Sequence, residues 1–133
     1  MLKFIIVAGL PTLTPKVTYS CPGERVTFTC VVTSGDRLYW EVDYFDPSFS
    51  DVSKQRYLEK DKKGDPMMVT NNVGHTFVFN LTSNSPLTST ASTTVSHQLS
   101  ETQVHCEDKL SNLAVSVIHV VEGMDSSKLY FFL

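Results

Sequence analysis

A chain of 133 residues has the size of one domain with one core and is too short for two sandwich domains in tandem. The net charge is only −3, and Lys and Arg are scattered apart from Lys60-Asp61-Lys62-Lys63, which acids flank on both sides. A basic field for nucleic acid is therefore excluded, and the plentiful Phe, Tyr, Ser and Thr suit short strands that bury one face and show water a hydroxyl-bearing other face.

The N-terminus runs from Met1-Leu2-Lys3 into the apolar Phe4 to Leu10, the charge-then-apolar order of a secretory signal, but no clear small-x-small cleavage site precedes Pro11. Two readings stand for residues 1–13: a signal peptide or its remnant, or an incomplete gene model or genuine first strand at a sheet edge. The domain is then expected over 14–122, followed by a linker and apolar tail at 123–133. The tail Leu129 to Leu133 falls far below the ~20 apolar residues that a membrane-spanning helix needs.

Pro22-Gly23 supplies a turn, after which Val26, Phe28, Cys30 and Val32 alternate with Arg25, Thr27, Thr29 and Val31, the two-residue period of a strand with one buried face. Ser34-Gly35-Asp36 connects to a second alternation, with Leu38, Trp40, Val42 and Tyr44 inward and Arg37, Tyr39, Glu41, Asp43 and Phe45 outward. From Asp46 to Val73 the breakers Pro47, Gly64-Asp65-Pro66 and Asn71-Asn72 leave room only for short edge strands at 54–60 or 67–70. Phe77, Phe79 and Leu81 then mark a clear strand whose outward face carries Asn80-Leu81-Thr82, an N-glycosylation acceptor at Asn80. Asn84-Ser85-Pro86 fails as a second acceptor and reads as a turn into the hydroxylated strand from Leu87 to Val95. Leu99 is expected to plug the bottom of the core, Val104 and Cys106 to point inward, and Asn112 to Val121 to form a last strand. A break in alternation between Val115-x-Val117 and Ile118-x-Val120 suggests a β-bulge there.

The run from Cys21 to Cys30, then Leu38-Tyr39-Trp40, then Val104-His105-Cys106 closely resembles an immunoglobulin-like domain of the variable type over roughly Val17 to Glu122. Together with Asn80 to Thr82 and Leu87 to Thr90 it is similar to the Ser/Thr-rich domains of secreted and surface proteins of sponges and other early-branching animals. The resemblance implies an all-β fold, an immunoglobulin-like two-sheet antiparallel sandwich, with one inter-sheet disulfide between Cys30 and Cys106 and Trp40 packed against it in the core. Closing a loop of about 76 residues would restrict the unfolded chain by about 4.5 kcal/mol on the chain-entropy model, and a paired disulfide implies an oxidising compartment. Cys21 is the odd thiol. It lies roughly 15 Å from Cys30 by strand rise, beyond the reach of a disulfide, and three readings stay open: a partly buried thiol, an interchain bridge, or rearranged pairing. Val104 departs from the family pattern, since a Tyr there would tie down the neighbouring corner; Leu99 packing is the expected substitute.

Other chemistry is thin. His75, His97, His105 and His119 lack metal-site spacing and read as surface residues, the acids Asp46, Asp51, Glu59, Asp61 and Asp65 follow no EF-hand pattern, and no phosphate loop or nucleophile elbow is present. The expectation is a non-enzymatic recognition or adhesion module of a secreted or cell-surface, extracellular protein, with no cofactor and no metal, binding a protein or glycan. The expected binding residues are Arg37 and Lys109 at the loop end, where the turns at 34–37 and 109–112 should emerge together, and Tyr39 and Phe45 on the outward face of the Trp40 strand. One alternative is a structural adhesive joined to a second chain through Cys21, as a homo- or heterodimer. A metal-dependent enzyme is the third reading. A membrane enters only through an anchor outside this chain.

Overall fold

A computed structural model describes residues 9–49, 56–60, 64, 66–71 and 73–121. Among the described residues ten strands form two five-stranded sheets. The first sheet runs in the order β1 (Thr12–Thr14), β3 (Arg25–Val32), β8 (Leu87–Thr94), β7 (Thr76–Asn84), β6 (Met67–Thr70). The second runs β2 (Val17–Ser20), β10 (Leu113–Val120), β9 (Thr102–Asp108), β4 (Arg37–Asp43), β5 (Arg56–Glu59). Every pairing is antiparallel except β2 on β10. The expected immunoglobulin-like sandwich is what forms, and both suggested edge strands exist, one on each sheet.

The core follows from alternation. Phe28, Cys30 and Val32 from β3, Phe77, Phe79 and Leu81 from β7, and Leu87 and Ala91 from β8 meet Leu38, Trp40 and Val42 from β4 and Val104 and Cys106 from β9. Cys30 and Cys106 are bonded across the sheets with Cα atoms 6.4 Å apart. The Trp40 indole is fully buried, and its Nε1–H donates to Ser89 Oγ at 2.8 Å, while Ser89 in turn donates to the Asn80 carbonyl at 2.8 Å. One hydroxyl thus satisfies the indole and links the two layers, which explains why a polar residue is tolerated at 0 % exposure.

The first sheet also takes in Leu13, which is buried and pairs in register with Cys30. Pro11 is buried too. The chain crosses from one sheet to the other between β1 and β2, and the buried Ser116 hydroxyl of β10 donates to the Pro15 carbonyl at that crossing. This accounts for a correction. The bulge expected in the last strand is absent, because β10 pairs with β9 in continuous register from Leu113 to Ile118. Ser116 occupies the inward position between Ala114 and Ile118, leaving Val115 and Val117 on the outer face. The register shift instead falls in β7, between Leu81 and Ser83, where Thr82 is the extra residue.

Leu99 is fully buried in a short 3-10 turn at His97–Leu99, as expected. The corner after it is held by Glu101, whose φ of 65° is a left-handed conformation uncommon outside glycine. Its backbone N–H donates to the Ile118 carbonyl, and its carboxylate meets His119 Nδ1 at 2.6 Å. These contacts fix the corner in addition to the packing of Leu99.

Candidate functional site

The outward positions of β4 are Arg37, Tyr39, Glu41 and Asp43, and the sheet register sets their neighbours. Tyr39 lies opposite Glu107 on β9, and Glu107 lies opposite Leu113 on β10, so one row crosses the face as Leu113, Glu107 and Tyr39. The next row is Val115, His105 and Glu41, in which the His105 ring reaches Gln103 Oε1 at 2.9 Å and Glu41 at 3.8 Å. Acids therefore occupy the middle of the face. Its β2–β10 side is apolar, with Val17, Tyr19, Leu113 and Val115 between 40 % and 50 % exposed. The Tyr19 ring stacks on His119 at a centroid distance of 5.1 Å.

At the end of this sheet the two expected turns do emerge side by side. Gly35 has φ 92°, and a Cβ built on it would stand 3.1 Å from the Lys109 side chain, so glycine is required both for the turn and for the close approach. Asp36 Oδ1 lies 3.8 Å from both Arg37 Nε and Lys109 Nζ. The Asp36 carbonyl accepts the Lys60 N–H at 2.8 Å, which brings the end of β5 to the same place. The turn that presents Lys109 is shaped by Asp108, 1 % exposed, whose carboxylate accepts the backbone N–H groups of Leu110 and Asn112 and the Asn112 side-chain amide, each at 2.9 Å.

Arg37, Tyr39 and Lys109 are thus brought together, while Phe45 is not with them. It lies past the far end of β4, 74 % exposed, at the opposite end from the paired turns. The sequence reading missed the apolar band of Val17, Tyr19, Leu113 and Val115; unbroken alternation through the last strand was the signal that would have found half of it. It also missed Asp108, for which an Asp followed by Ser-Asn at a hairpin tip was the signal. Asn80 sits half-exposed on the outer face of the other sheet, opposite Thr90. Cys21 is buried at 5 % exposure beside a turn in which its backbone N–H donates to Glu24 Oε1 at 2.7 Å. Of the acids weighed for calcium, Asp51, Asp61 and Asp65 lie outside the described residues, as do the segments 1–8 and 122–133. Asp46 is partly exposed, and its carboxyl is held below the usual range first by the Ser48 backbone N–H and then by the Ser48 hydroxyl.

His75 is not the surface residue expected. It is half-buried, edge-on to Tyr44 and Phe77, and its Nε2 is 2.7 Å from the Thr93 hydroxyl. Thr93 donates its only proton to the Thr76 carbonyl, so Nε2 must carry the proton shared with Thr93 and Nδ1 is the bare nitrogen. Burial lowers the His75 pKa and pushes the Tyr44 phenol up to about 12. Among the described residues no group of three or more His, Cys, Asp or Glu side chains could hold a metal ion. No helix among them is long and apolar enough to cross a membrane.

No protein-family model matches the chain, and no curated protein matches it. Among solved structures it is similar to a chain in one described as "Structural basis of T cell specificity and activation by the bacterial superantigen toxic shock syndrome toxin-1". That likeness has a TM-score of 0.56 at 12 % identity and covers 84 % of this chain and 98 % of that one. At such identity the likeness establishes a shared sandwich fold, and a fold does not carry a ligand with it.

Proposed function

We propose that this chain is a non-enzymatic recognition or adhesion module of a secreted or cell-surface protein, binding a protein or glycan through the loop end and the outer face of β4. The observation that carries this reading is the convergence of Arg37, Tyr39 and Lys109 beside an exposed apolar band on one sheet face. The inter-sheet disulfide supports an oxidising, extracellular setting. The reading of the chain as a variable-type domain draws on the crossing of the chain between sheets from β1 to β2 and on the added edge strand β5.

The test is saturable binding of the multimerised, disulfide-intact domain to protein and glycan arrays. Arg37→Ala and Tyr39→Ala should each weaken it about tenfold, the cost of losing a central anchor; binding untouched by both would remove the proposed surface. The adhesive alternative requires the covered Cys21 thiol to reach a second chain. A non-reducing gel showing monomer alone would dispose of it.

A further inference from the structure

We propose that the acceptor Asn80-Leu81-Thr82 is glycosylated and that the sugar on Asn80 folds back along β7 and covers the apolar patch formed by Met68 and Val78. The sugar arrives from a lipid-diphosphate donor: the Asn80 amide nitrogen bonds the anomeric carbon, the lipid diphosphate leaves, and the amide gives up one proton. Thr76, Val78 and Asn80 are successive outward positions of one strand, so the patch begins about 7 Å from the attachment point. Met68 pairs directly with Val78 and is 69 % exposed, a large apolar side chain held on a rigid sheet with water over it.

The surface beyond continues as a groove lined by Met68, Val78, Thr76, His75, Thr94 and Arg25. It pairs an apolar floor with a polar rim. The apolar part suits the acetamide methyl and the C–H face of an N-acetylhexosamine, and the rim offers the Arg25 guanidinium to the sugar oxygens, the Thr76 hydroxyl being held by Thr70 at 2.8 Å. Arg25 donates to Thr94 at 3.3 Å and forms no ion pair among the described residues, so its remaining donors are available to such oxygens. The other direction along β7 attracts the sugar less. There the turn at Ser85 and Pro86 shows no exposed large hydrophobic side chain for a sugar to cover.

The test uses protein secreted from eukaryotic cells, compared with Asn80→Gln and Thr82→Ala, which abolish the acceptor by two different routes. Dilute peroxide should oxidise Met68 about threefold more slowly in the glycoform than in either variant, with half-buried Met67 as the internal reference, read by peptide mass spectrometry. A nuclear Overhauser contact between the acetamide methyl and the Met68 methyl should accompany the protection. An occupied Asn80 with Met68 oxidising at the same rate in all three proteins overturns the packing while leaving glycosylation intact. An Asn80 found bare overturns both.

Discussion

The two outer faces of the sandwich are built on the same alternation, yet one is a lattice of hydroxyls with a single strongly exposed apolar side chain, Met68, toward its β6 edge, and the other a mixture of apolar, acidic and aromatic side chains. On the first sheet Thr27 bonds Ser92 at 3.0 Å and Thr70 bonds Thr76 at 2.8 Å, so neighbouring side chains satisfy one another and much of the surface is chemically closed. On the second sheet Val17, Tyr19, Leu113 and Val115 have no such self-sufficiency, and apolar area left in water on a rigid face is what association can recover, at about 25 cal/mol per Å². The difference teaches that recognition should belong to the second sheet and its loop end, and solvation or glycan cover to the first.

The largest expected effect removes the frame that both faces share. Replacing Cys30 and Cys106 by Ala should cost about 4.5 kcal/mol on the loop-entropy model for a separation of 76 residues, measured by urea unfolding. A loss under about 1 kcal/mol would mean that the sheets hold without their staple. Next comes Ser89→Ala, which strips the Trp40 indole of its acceptor and should cost about 1–3 kcal/mol while leaving ligand binding at the native conditions unchanged. A change in binding affinity with no change in stability would contradict its role as an internal link.

A smaller effect separates the faces directly. Val115→Asp should weaken binding about tenfold with stability changed by no more than about 0.5 kcal/mol, whereas Thr90→Ala on the hydroxyl face should alter neither. Equal sensitivity at both positions would erase the distinction between the faces. The smallest effect concerns His75, whose pKa in the folded state lies below the ordinary 6.5 because burial disfavours the imidazolium. Between the two values the unfolded chain binds more protons, so stability should fall as pH drops through about 6.5 and level off below the folded pKa. His75→Gln should flatten that part of the curve, and identical slopes in the two proteins would assign it to other groups.

Legibility of the sequence followed the strength of alternation. Strands with a bulky apolar residue at every second position, such as those bearing Phe28-x-Cys30, Leu38-x-Trp40 and Phe77-x-Phe79, were readable because only one register buries them. The last strand misled because Val115, Val117 and Ile118 are all apolar while the inward place belongs to Ser116, whose hydroxyl is satisfied by a carbonyl 101 residues away in sequence. No local pattern announces a partner at that distance. His75 was misread for the same reason, since Tyr44 and Thr93 reach it from two other segments of the chain. The loop end was legible through Gly35, but Phe45 was assigned to the β4 face by extending the alternation past Asp43, where the strand stops.

The most direct measurement is the affinity of a multimerised domain for an array ligand in three forms: native, Arg37→Ala with Tyr39→Ala, and Thr27→Ala with Ser92→Ala. The account predicts that the second form loses binding and the third keeps it at native strength. Binding that survives the first pair of changes, or fails with the second pair, would contradict the placement of recognition on the β4 face.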